Sequence, residues 1–263
     1  MAHTAHLNTP RWGGELRATT LLAAPLALAN LLQMATYIVD VVFIARLGEE
    51  QLAASGLAVG VFGLVLWAMT ALTGAVAPLI AEALGARSPS FRPVRRATRM
   101  AFWLAVMSGL VGMGLCLLLD PMMRISDQQP TIIALANSYN VVIIFSLVPM
   151  LLAAVLRNYV SALGWPIVAT AITAFGIPVN ALANYAFIFG NLGAPELGLV
   201  GAAVATIITA LVTLAAYVAV VLLNPALARF HIFYRFWKPD WARLRQIVRI
   251  GTPIALTVTA EAG

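Results

Sequence analysis

The sequence predicts an all-α integral membrane protein, six transmembrane helices in one lobe followed by part of a seventh, with the N-terminus cytoplasmic. Three observations carry the prediction. Of the 263 residues, 62% are hydrophobic and only 10% charged, where a soluble domain carries about 25% charge. The apolar runs are continuous and reach the roughly 20 residues that a membrane-crossing helix needs; a membrane β-barrel would instead show segments of about 10 residues with alternating polarity. Finally, all but two of the 16 lysines and arginines, Arg46 and Arg124, fall on one side if the spans alternate from a cytoplasmic N-terminus, as positive-inside topology requires. The net charge of +6 is therefore a topology signal and not a nucleic-acid footprint.

Residues 1–16 read as a cytoplasmic tail. It lacks the compact apolar core and small-residue cleavage site of a signal peptide, and His3 and His6 are tail residues, not metal ligands. The first span, about 17–46, contains LLAAPLALANLLQMATYIVDVVFIARLG. Gln33, Tyr37 and Asp40 lie at i, i+4 and i+7 and share one helix face, which should turn toward the bundle interior. A carboxylate in such a span costs roughly 2.5–3.5 kcal/mol on insertion scales and marks an ion, proton or substrate pathway. The bland alternative is a structural hydrogen bond from Asp40 to a neighbouring helix. Gln33 and Tyr37 divide evenly between lining a substrate cavity and packing. Pro25 removes a backbone hydrogen bond and permits a bend about 22 Å from Asp40 along the axis, either as a switch or as plain geometry.

The next spans read as 52–84, 95–119 and 131–160. Glu82 stands three residues before Gly85 in IAEALGAR and should reach the interface. Cys116 is the only cysteine, which excludes an intrachain disulfide or a Cys-rich metal site. The fifth span, 166–190, carries IPVNALANYAFIFGN, with Asn180 and Asn184 four apart on one face. Their amide oxygens can coordinate Na⁺ or hydrogen-bond a carboxyl; the alternative is interhelical bonding worth about 0.6 kcal/mol. In the sixth, 198–223, Thr206 either adds a hydroxyl to that site or packs against its own backbone. Residues 224–246 alternate aromatic and basic side chains, as suits an amphipathic linker on a membrane surface.

The seventh segment, 247–263, restarts the first. Pro253 in PIAL precedes Glu261 by eight residues, just as Pro25 in PLAL precedes Gln33. Duplicated halves are common in transporters, so the expectation is a fragment of a longer transporter whose six-helix lobe spans 17–223. Neither a Walker A loop, an HExxH zinc spacing nor a CxxC occurs, and nothing resembles a Ser/His/Asp arrangement. An enzyme and a cofactor are not expected, and an ion gradient must supply the energy.

The stretches Gln33–Gly48 (QMATYIVDVVFIARLG), Pro78–Arg87 (PLIAEALGAR), Arg157–Pro166 (RNYVSALGWP), Pro178–Gly190 (PVNALANYAFIFG) and Pro195–Thr206 (PELGLVGAAVAT) resemble the multidrug and toxic compound extrusion (MATE) family, in its NorM-like bacterial branch. The resemblance implies a twelve-helix antiporter of the bacterial inner membrane, with two six-helix lobes around a central cavity, exporting cationic aromatic drugs in exchange for Na⁺ or H⁺. It makes Asp40 the first-lobe acidic site, with Asn180 and Asn184 flanking it and Thr206 a neighbour. Pro25 falls at the bend of the first helix, and Glu261 at the acidic residue of the seventh. Position 184 is Asn where some archaeal members carry a second acid, which leaves Asp40 as the lone first-lobe carboxylate. Helices eight to twelve are absent, so on this reading a C-terminal lobe or a second copy is required. Two rivals stand beside it. A lipid-linked oligosaccharide flippase of the wider superfamily would need cationic residues in its cavity, whereas here the arginines sit at loops and span ends. The other rival is a non-transporting membrane fragment.

Overall fold

The computed structural model describes residues 12–85, 91–234 and 240–262, and among them every regular element is helical. Helix α1 (Trp12–Ala45) is followed by α2 (Glu49–Gly74) and α3 (Val76–Gly85), which together make one crossing. The break at Ala75 has a local cause: Pro78 has no N–H to offer the Gly74 carbonyl. Helices α4 (Arg92–Cys116) and α5 (Leu119–Ile125) form the next crossing. The fourth consists of α6 (Pro130–Ile143), a 3₁₀ turn at Ile144–Ser146, and α7 (Leu147–Ala162); here Pro149 leaves the Phe145 carbonyl without its helical donor. Helices α8 (Pro166–Phe189) and α9 (Leu199–Leu223) are single crossings, and α10 (Pro225–Ala228) and α11 (Trp241–Ala262) close the chain.

Five of these stretches are long and apolar enough to cross a membrane, and the apolar part of α1, Asn30–Ala45, is a shorter sixth. The chain is thus an all-α membrane protein with a six-helix lobe and the beginning of a seventh crossing. One boundary differs from the sequence reading. Helix α11 already begins at Trp241, inside the stretch read as linker, because Asp240 caps it: the Asp240 carboxylate accepts from the Arg243 N–H at 3.3 Å.

Small residues set the closest helix contacts, as they do where lipid supplies no hydrophobic drive between helices. Gly201 lets α9 lie directly on the Phe187 carbonyl of α8, and Gly251 lets α11 lie on the Leu72 carbonyl of α2. The α8 terminus is shaped for this approach. Gly190 takes the left-handed conformation (φ 70°), a position that suits glycine, and the chain returns so that the Leu197 and Gly198 N–H groups donate to the Phe187 and Ile188 carbonyls at 3.0 and 3.2 Å. Buried tyrosines tie the other end together: the Tyr217 hydroxyl donates to the Ala169 carbonyl at 3.0 Å, and the Tyr159 hydroxyl to the Leu227 carbonyl at 2.8 Å. The apolar core falls into two clusters, one around Phe102, Tyr159 and Phe230, the other around Ile44, Tyr139 and Ile188.

Candidate functional site

The second cluster surrounds the polar residues that the sequence singled out. Helix α1 packs along α8, and this pairing brings Asp40 to the two asparagines. Their spacing of four stacks them on one face of α8, one turn apart. Asp40 Oδ1 accepts from Asn184 Nδ2 at 2.6 Å and from Asn180 Nδ2 at 3.0 Å. The Asn184 amide also donates to Asn180 Oδ1 at 3.1 Å. Both asparagines are buried and Asp40 is half-buried. Pro178, inside α8 two residues before Asn180, leaves the Ala174 carbonyl without a helical donor and loosens the helix beside the site.

Two oxygens at this site are unused. Asn184 Oδ1 is buried and has no hydrogen-bond partner, an omission worth about 1–3 kcal/mol of desolvation. Asp40 Oδ2 accepts no hydrogen bond from any described residue. One carboxylate with neighbouring amide oxygens is hard-oxygen chemistry, suited to a proton or a small hard cation. Among the described residues no group of three His, Cys, Asp or Glu side chains gathers to hold a metal. Among the described residues Asp40 forms no ion pair: those found are Arg96–Asp240 and Arg124–Asp120.

The other candidates are placed differently. Thr206 turns its hydroxyl back to the Ala202 carbonyl at 3.0 Å and makes no bond to the cluster. Gln33 and Tyr37 were expected to face inward with Asp40, but both are exposed. The reason is that this part of α1 stands proud of the lobe: Leu31 is 64% and Met34 61% exposed, whereas Ile44, near the end of the helix, is 2% exposed. Helix α1 is continuous through position 25; the side chains of Pro25 and Glu261 lie outside those described. Glu82 is exposed on α3. Sequence reasoning missed Tyr139, wholly buried on α6 and within electrostatic range of Asp40. Its signal was present, since Tyr139 and Asn140 are adjacent polar residues in an apolar span. Asn140 serves the fold: its amide donates to the Cys116 carbonyl at 2.8 Å where α4 ends.

Comparison with known proteins adds an independent line. The family model MatE matches residues 25–186. A protein described as "Probable multidrug resistance protein NorM" from Brucella suis is 36% identical over 251 residues, 95% of this chain and 53% of that protein. One of the same description from Synechococcus sp. is 37% identical over 254 residues, again 95% and 53%. The chain spans about half the length of the curated relatives it matches. Among solved structures, "Crystal structure of MATE in the bent conformation" superposes with a TM-score of 0.77 at 22% identity, over 90% of this chain and 52% of that one. An "Outward-facing conformation of a multidrug resistance MATE family transporter of the MOP superfamily" gives 0.77 at 23% identity, over 90% and 51%. At such identities these superpositions speak for the fold.

Proposed function

Since this chain belongs to the MatE family, we propose that it provides the first lobe of a multidrug efflux antiporter of a bacterial inner membrane, with its N-terminus cytoplasmic. The cargo is cationic, aromatic drugs, and the counter-ion is Na⁺ or H⁺. The observation that carries this reading is the Asp40 carboxylate bound to two buried amides, with Asp40 Oδ2 and Asn184 Oδ1 left without partners.

The site works by exchange of positive charge. A proton or Na⁺ at Asp40 neutralises the carboxylate, and the asparagine oxygens complete its coordination. A cationic drug is drawn by the same charge, so ion and drug compete, and whichever is bound biases the lobe between outward and inward arrangements. Residues 17–223 form the lobe, and the stretch from 224 to the start of α11 at Trp241 connects it to a second one. The relatives being about twice as long, that facing lobe comes either from a C-terminal half or from a second copy, and Glu261 belongs to its cation site.

Ethidium efflux from drug-sensitive bacteria tests the reading. The chain and its Asp40→Asn variant are expressed side by side, with Na⁺ and proton gradients collapsed in turn. Energised efflux that vanishes in the variant supports Asp40 as the coupling group. Efflux and coupling untouched by Asp40→Asn would overturn that role. Absence of efflux from both, with insertion confirmed, would assign transport to the chain only together with a second lobe.

A further inference from the structure

A second site lies at the opposite core cluster, where α4 begins and α9 ends. After Leu223 the chain folds back over the bundle. Asn224 caps the short helix α10, its Oδ1 accepting from the Ala226 N–H at 3.0 Å, and His231 takes a left-handed conformation with φ 49°. Phe230 and Ile232 are buried, whereas Arg229, His231, Phe233 and Tyr234 face outward. The alternation pins the segment to the core through Phe230, whose ring meets Phe91 at 4.9 Å and Tyr159 at 6.2 Å.

Two cations here form no ion pair with an acid among the described residues. The Arg229 guanidinium lies 5.4 Å from the Phe91 ring centre and 5.1 Å from that of Phe230. Arg95 lies 5.6 Å from the Tyr234 ring centre. Ring faces orient a cation but leave its charge in place. The nearby carboxylate of Asp240 is already taken, accepting from Arg96 Nε at 2.6 Å. Beside Arg229 opens a cavity of about 400 Å³, floored by Val221, Leu222, Pro225, Ile232 and Phe233. The floor continues onto the last turn of α9, where Leu222 is 58% and Leu223 81% exposed. An uncompensated cationic mouth thus meets an apolar floor at the end of a bilayer-length helix.

We propose that Arg95, Arg229 and the fold-back segment 224–234 form a binding site for the phosphate headgroup of an anionic phospholipid, with the first acyl carbons running along Leu222 and Leu223. Charge complementarity selects the occupant, because basic pockets at helix ends attract anionic headgroups. The apolar floor selects a lipid over a soluble phosphate: a free anion would leave Leu222, Ile232 and Phe233 uncovered. The site is independent of Asp40 and of the transport reading.

Native mass spectrometry of the full chain in a mild non-ionic detergent tests this. Phosphatidylglycerol and phosphatidylcholine are titrated in parallel, with sn-glycerol 3-phosphate as a soluble competitor. The wild-type chain should retain phosphatidylglycerol roughly tenfold over phosphatidylcholine, and glycerol phosphate should not displace it. The preference should fall to parity in an Arg95→Gln/Arg229→Gln double variant and survive in Arg124→Gln, a residue of the other core cluster's end. Equal retention of the two lipids by the wild type overturns the proposal, as does a preference that persists in the double variant. Displacement by glycerol phosphate would overturn it in favour of a soluble-phosphate site. The wild-type comparison stands even if the double variant does not fold.

Discussion

Replacing Gly201 with alanine should separate α9 from α8 and destabilise the lobe. An added Cβ would overlap the Phe187 carbonyl oxygen and sit 2.5 Å from its carbon and 2.9 Å from the Ile188 nitrogen. Carbon contacts relax only near 3.5–4.0 Å, and the obstacle is backbone, held by the Leu197 and Gly198 N–H groups. Helix α9 must therefore move outward by about 1 Å, and overpacking of this kind costs about 1–3 kcal/mol. Gly176 provides the comparison. Its added Cβ would meet Thr213 Oγ1 at 3.5 Å, an ordinary contact, while alanine gains up to about 1 kcal/mol of helix propensity. Cys116 offers the assay, being the only cysteine and buried: a thiol-reactive dye in detergent reports its exposure as the protein is heated. At about 2–4 °C per kcal/mol for a chain of this size class, Gly201→Ala should lower the midpoint by about 2–12 °C, and Gly176→Ala should leave it level or raise it slightly. Because Phe187 lies one turn beyond Asn184, the displaced α9 should also weaken efflux where transport is measured. A Gly201→Ala midpoint equal to wild type, or a greater loss for Gly176→Ala, would refute the packing argument.

Other perturbations follow from single bonds. Tyr217→Phe removes the hydroxyl that donates to the Ala169 carbonyl and should cost about 0.5–1.5 kcal/mol, read as a small midpoint drop in the same dye assay with efflux retained. Asp240→Asn should detach the start of α11 from α4 without touching the Asp40 site. Burial pushes the Asp240 carboxyl up, but the hydrogen bond and charge of Arg96, the Arg243 N–H and the charge of Arg99 outweigh it, so its proton affinity is lower than usual. That stabilisation is fully present above the ordinary aspartate value near about 3.9 and is lost as pH falls through the lower folded value. The fluorescence of nearby Trp241 in an otherwise Trp-to-Phe background should report an acid step in the wild type that Asp240→Asn lacks; an identical step in both would refute the assignment. Asp40→Asn should leave the dye midpoint within a few degrees of wild type while abolishing ion-coupled efflux, since the substituted amide keeps an oxygen for the two asparagine donors.

Much of the candidate site was legible because its logic is local and costly. A carboxylate in an apolar span announces itself by its insertion penalty, and two asparagines four apart must share a helix face. What was not legible depended on neighbours. The i, i+4, i+7 pattern placed Gln33 and Tyr37 with Asp40, but a pattern on one helix does not say how far a neighbouring helix extends along it, and the bundle covers the end of α1 near Ile44 more fully than the part near Met34. Thr206 had two acceptors to choose between, and its own Ala202 carbonyl is always within reach in a helix. Tyr139 was passed over because its helix carries no charge to draw attention.

By itself, the sequence determined the class of protein and the order of its apolar helices, and it marked Asp40 as a candidate site, because hydrophobic length and the cost of burying charge are properties of the chain read one segment at a time. Only the tertiary structure decided that α1 and α8 lie side by side with Asp40 opposite Asn180 and Asn184, that Asn184 Oδ1 is left without a partner, and that Arg229 and Arg95 rest on aromatic rings around an apolar cavity. Those outcomes depend on which helices meet and at what depth. Pair contacts such as Gly201 on Phe187 and Gly251 on Leu72 set that geometry, and they exist only when segments distant in the chain are packed together.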